Sequence, residues 1–145
     1  LGPLPSILII GLMEPASFDG DYEKSAFKFN RHKLQSLEVQ VDNQPVTNHP
    51  IRMRQQNGVD FFWNYLKSTN RFLNVFSSGS LSYKNYMESN FLTYVNLKAE
   101  GFTHGQLLVQ LKFEELLSEK LFCLFVPIYE RKLSFDAYLN AQVLS

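Results

Sequence analysis

The side chains able to do acid, base, nucleophilic or metal chemistry are few in this sequence and scattered along it. His32, His49 and His104 stand far apart, and none is two to four residues from another histidine or a cysteine, the spacing that lets ligands converge on zinc. Asp19, Asp21 and Glu23 gather three carboxylates, as a hard cation such as calcium would require, but the pattern does not fit the twelve-residue calcium loop and reads as a solvated acidic turn. Glu114 and Glu115 would have to work as a paired acid and base, yet neighbours on a strand point to opposite faces, so they read as the exposed rim of a connection. Cys123 lies inside an apolar run, where a thiol behaves as a small hydrophobe. Arg52 with Arg54, and Arg131 with Lys132, are short basic pairs of the kind that form solvated faces. No Gly-rich phosphate loop, His-Glu-x-x-His or Gly-x-Ser-x-Gly pattern occurs. The expectation is a protein with no catalytic, metal or cofactor site, and therefore not an enzyme.

Bulk properties narrow the classes further. Lys plus Arg and Asp plus Glu balance at 14 each, which removes the general attraction to a phosphate backbone, so direct nucleic-acid binding is not expected. A single cysteine argues against a fold built on disulfides. At 145 residues the chain is long enough for one domain that buries roughly 68–70% of its unfolded surface. No apolar run approaches the roughly 20 residues of a membrane-spanning helix, and Ser6 to Met13 lacks the basic flank of a secretory signal. The chain opens Leu-Gly-Pro-Leu-Pro with no initiator methionine, so it is expected to be part of something longer.

The elements that organise these residues are mostly strands. Leu121 to Tyr129 is apolar without alternation and rich in aromatic and β-branched residues, so it is expected to be a central strand covered on both faces, with Pro127 at a bulge or where pairing ends. One face carries Leu121, Cys123, Phe125 and Tyr129; the other carries Phe122, Leu124, Val126 and Ile128. A small domain hides one such set in its own core, which leaves Phe122, Leu124, Val126 and Ile128 as candidates for self-association. Ile7 to Met13 reads as a first strand ended by Glu14-Pro15, and Phe18 to Asp21 as a turn. Ala26 to Asn30 reads as a short extended piece. Leu37, Val39 and Val41 alternate with Glu38 and Gln40 before Asp42-Asn43 turns the chain back into Gln44 to Thr47. Ile51 to Met53 adds a brief edge strand.

After Asn57-Gly58 the period becomes helical. Val59, Phe62, Trp63 and Leu66 fall on one side and Asp60, Asn64 and Lys67 on the other, predicting an amphipathic helix over 59 to about 68, with Phe62, Trp63 and Leu66 packed across the sheet. A Ser-rich loop with Gly79 follows, and Ser82 is placed to cap a short helix over Tyr83 to Met87. Phe91 to Leu97 and Leu107 to Phe113 are further strands, separated by a turn with Gly101 and Gly105 and followed by a charged connection over Glu114 to Lys120. Leu133, Phe135 and Tyr138 lead into the tail. About eight strands with one helical insertion outline an all-β, antiparallel, eight-stranded jelly-roll sandwich as a single domain over 1–145.

The order of these pieces resembles a known family. Ile7-Leu8-Ile9-Ile10-Gly11, Ala16-Ser17-Phe18-Asp19-Gly20-Asp21-Tyr22, Lys24-Ser25-Ala26-Phe27-Lys28-Phe29 and Val41-Asp42-Asn43-Gln44-Pro45-Val46 follow one another as do motifs in the C-terminal jelly roll of the double-jelly-roll major capsid proteins of polintons (Mavericks) and adintoviruses. Gly105-Gln106-Leu107-Leu108-Val109-Gln110-Leu111-Lys112-Phe113 resembles that family's long amphipathic strand, and Leu133-Ser134-Phe135-Asp136 stands where a further strand is expected. Ser25-Ala26 replaces the family's Asn-Pro, and Asn43-Gln44 its glycine-bearing turn, so the resemblance is to a diverged member.

What the resemblance implies is a viral structural protein without cofactors. Its partners would be itself, as a homotrimer forming a pseudo-hexameric capsomer, an upstream jelly roll in the same polypeptide, and minor capsid proteins. Its location would be the virion capsid, an icosahedral shell around double-stranded DNA assembled inside the host cell, in cytoplasm or nucleus. The alternative is a host-domesticated or lectin-like jelly roll that binds a protein or ligand through its loops.

Overall fold

The computed structural model describes residues 3–18, 28–46, 50–73, 81–130, 132–135 and 141–144. The acidic turn of Asp19, Asp21 and Glu23, the piece at Ala26 and Phe27, His49, Gly79, Arg131, Asp136 and Tyr138 lie outside the described residues. In chain order the elements are β1 (Ile7–Met13), the one-turn α1 (Pro15–Phe18), β2 (Leu34–Val41), β3 (Gln44–Pro45), β4 (Ile51–Arg52), α2 (Val59–Leu73), α3 (Tyr83–Ser89), β5 (Leu92–Asn96), β6 (Leu107–Phe113), β7 (Phe122–Ile128), β8 (Lys132–Phe135) and β9 (Ala141–Leu144). The chain is mostly β-sheet, with two larger antiparallel sheets and few helices. The two expected helices, α2 and α3, fill the break in the middle, and the described residues hold nine strands where about eight were expected.

One sheet has the order β5-β1-β7. In the other, β6 runs along the length of β2, and β3 and β4 share the opposite edge of β2. The β8–β9 hairpin forms a ladder of its own. Leu8, Ile10 and Leu12 of β1 meet Leu34, Leu37, Val39 and Val41 of β2 in one core, completed by Phe61, Tyr86, Phe91, Val95 and Leu97.

The strand covered on both faces is therefore β1, not the run at 121–129. All its residues except Ile9 are buried, and it has a neighbour on each edge. Among the described residues β7 pairs only with β1 and is an edge strand. Composition alone does not separate the two runs; their partners do.

Local chemistry explains the remaining geometry. Leu34 and Leu37 lie three apart, which strict alternation would send to opposite faces. The register shifts between Leu34, opposite Phe113, and Ser36, opposite Lys112, so Gln35 is an extra residue that turns both leucines inward. Asp42 and Asn43 have φ of 49° and 67°, the two positive values of a type I′ turn whose twist suits a hairpin. Asp42 is held from the side: its Oδ1 accepts from the Gln106 N–H at 2.8 Å and its own N–H donates to the Gln106 carbonyl at 3.0 Å. Ser82 caps α3 as expected, its Oγ accepting from the Asn85 N–H at 3.2 Å.

Candidate self-association surface

Sheet edges carry unpaired backbone groups, and folds that stay single cover or charge them. On one flank this chain covers them. Helix α2 packs against β5 and β4, the outer strands of the two sheets, and Asn64 bonds to the backbone of Tyr94 with both ends of its amide, at 3.1 Å and 3.3 Å. The side-chain amide takes the place of a neighbouring strand.

The helix reaches this flank with a face rotated from the predicted one. Phe61 is fully buried against Phe91, while Phe62 lies on Tyr83 and Tyr86, and Tyr65 on Tyr86 and Tyr94. Phe62 and Leu66 are half-buried, but Trp63 is 66% exposed and Val59 is exposed too, so Trp63 does not clamp the sheet. Asn64, assigned to the polar side, is a packing residue with its amide spent on β5. The missed signal is the pair Phe61 and Tyr65, four apart and aromatic, which defines a helical stripe as good as the one chosen.

The opposite flank, formed by β6 and β7, has no such cover among the described residues. The inward residues of β6, Leu107, Val109, Leu111 and Phe113, are only half-buried. On β7 the register sets Cys123, Phe125 and Pro127 beside Leu12, Ile10 and Leu8, on the core side of the sheet, yet Phe125 is 45% exposed. Tyr129, expected in the core, is exposed as well.

Phe122, Leu124, Val126 and Ile128 share the outer face, opposite Met13, Gly11, Ile9 and Ile7. Phe122 and Val126 are about two-fifths exposed, at 40% and 38%, whereas Leu124 and Ile128 are half-buried. The chain covers part of this face itself. A Cβ on Gly11 would lie 2.7 Å from Leu92 and 3.0 Å from Phe29, so the missing side chain is the space those two occupy.

Among the described residues the polar side chains bring no reactive constellation together. Burial pushes the Cys123 thiol up, away from the thiolate. Burial lowers His32, partly offset by Glu14. Glu114 pairs with Arg31 and Glu115 with Lys33, tying the start of the 114–120 connection to the turn before β2. Among the described residues no group of His, Cys, Asp and Glu has the arrangement of a metal site, and no helix is long and apolar enough to cross a membrane. No family model, curated protein or solved structure matches the chain.

Proposed function

We propose that this chain is a capsid building block of jelly-roll type, a non-catalytic protein whose activity is self-association through the β6–β7 flank. The observation that carries the proposal is an uncharged edge strand with Phe122, Phe125 and Val126 open to solvent, beside a flank that the same fold seals with a helix. Strand pairing supports the jelly-roll part. β1 pairs with β7 in one sheet and β2 with β6 in the other, the nested order in which a chain folded double and rolled up closes. The family resemblance supplies the assembly: trimeric or pseudo-hexameric capsomers, an upstream jelly roll and minor capsid proteins as neighbours, and a virion shell as location.

The test is the mass of the purified chain by size-exclusion chromatography with light scattering, alone and mixed with its upstream jelly roll, beside a Phe122→Glu variant. Concentration-dependent oligomers that Phe122→Glu dissolves are expected. A chain that stays monomeric at every concentration, with or without that neighbour, overturns the proposal.

A further inference from the structure

We infer that β7 is a self-recognition edge, through which two copies of this chain join antiparallel about a twofold axis at Phe125. The inference rests on the self-association reading above and names its partner and register. Pro127 pairs with Leu8 of β1 and has no N–H to give, so it stays in that ladder only with its nitrogen on the far side. By alternation Cys123 and Phe125 turn their N–H and C=O groups to the same far side. Ile128, of opposite parity, agrees: its carbonyl accepts from the Ser6 N–H at 2.8 Å, on the side of β1. This edge, without a neighbour among the described residues, thus offers two complete donor–acceptor sets and the Pro127 carbonyl, enough for a short ladder that Pro127 ends.

The sequence around that edge is matched to its own reverse. With Phe125 opposite Phe125 of the second copy, Cys123 meets Pro127, Leu121 meets Tyr129, Phe122 meets Ile128 and Leu124 meets Val126, all apolar cross-strand pairs. At each end Lys120 then faces Glu130, so the charges that bound the apolar run attract. A slip of two residues in one direction would set Lys120 against Ile128, and in the other against Lys132. Glu130 already meets Lys98 of its own subunit, and a carboxylate has acceptor sites for a second cation. A twofold axis makes the contact isologous, so it joins copies in pairs and the closure of a trimer falls to other surfaces, and the two β5-β1-β7 sheets become one continuous six-stranded sheet.

Cysteine cross-linking and charge reversal test it together. Residues facing across a bonded antiparallel pair have Cα atoms about 5.5 Å apart, within disulfide reach. Phe125→Cys in a Cys123→Ser background is expected to give a covalent dimer on mild oxidation with copper phenanthroline. Tyr129→Cys in the same background is not, because the two copies of residue 129 would lie roughly 27 Å apart along the strands. Lys120→Glu and Glu130→Lys are each expected to raise the dimer dissociation constant about tenfold, and the double reversal to restore it. If the chain associates but Phe125→Cys does not cross-link, or the double reversal does not restore affinity, this register is wrong while the self-association reading stands. A chain that never associates removes both.

Discussion

Asn64 on α2 and Tyr94 on β5 are joined as if they were neighbours in a sheet: the Asn64 Nδ2 donates to the Tyr94 carbonyl at 3.1 Å, and its Oδ1 accepts from the Tyr94 N–H at 3.3 Å. Asn64→Ala is expected to cost about 1–2 kcal/mol in urea unfolding, the net worth of two hydrogen bonds at a partly buried site. The same change should speed hydrogen exchange at the Tyr94 amide. An exchange rate equal to the parent's would mean that this amide is not held by Asn64.

Phe61 and Trp63 separate the observed face of α2 from the one its sequence suggests. Phe61 is wholly buried and Trp63 is 66% exposed. Phe61→Ala is expected to lose about 3–5 kcal/mol, whereas Trp63→Ala should stay within about 0.5 kcal/mol of the parent. Denaturant midpoints measure both, and the reverse ranking would restore the predicted face.

Gly105 has φ of +137°, and a Cβ there would stand 2.5 Å from Asp42 Oδ2, at the support of the I′ turn. Gly105→Ala is expected to destabilise by more than about 1 kcal/mol through strain and displacement of Asp42. Asn43→Gly, in the same turn at φ of 67°, should stabilise by a few tenths of a kcal/mol or more. Opposite shifts in thermal midpoint are the check.

His32 binds its proton less readily in the folded chain than in the unfolded one, because burial opposes the charge more than Glu14 favours it. The unfolded chain therefore takes up more protons as pH falls. The stability that His32 contributes is full above about pH 6.5 and is lost as pH drops through the lower folded value. His32→Asn, whose side chain tolerates the positive φ of 48° at this position, should flatten stability against pH in that window. An unchanged slope in the variant would assign the pH dependence to other groups.

What the residues announced and what they withheld divide along physical lines. The strand at Ile7–Met13, the alternation of Leu107 to Phe113, the Asp42-Asn43 turn and the Ser82 cap are local, each set by side-chain parity or by backbone preference within a few residues, and each was legible. Which apolar run holds the centre was not. Ile7–Met13 and Phe122–Ile128 both lack charged and polar side chains, and only long-range pairing gives one of them two neighbours. The face of α2 was misread because Phe61, Phe62, Trp63, Tyr65 and Leu66 leave several apolar stripes to choose from, and Asn64 bonds to a strand far along the chain. The bulge at Gln35 hid the first turn of β2 from a strict period of two. The candidate surface was half legible: Phe122 and Val126 are open, while Leu124 and Ile128 are half-buried, and Phe125 is exposed where core was expected.

The first strand has both of its partners far along the chain, with Leu8 opposite Val95 on one side and Pro127 on the other. A nascent polypeptide emerging from the ribosome therefore carries Ile7 to Met13 without either neighbour until at least Leu92 to Asn96 has been made. Synthesis and closure are coupled late, so refolding should be slow for a chain of this size and early arrest products should depend on chaperones.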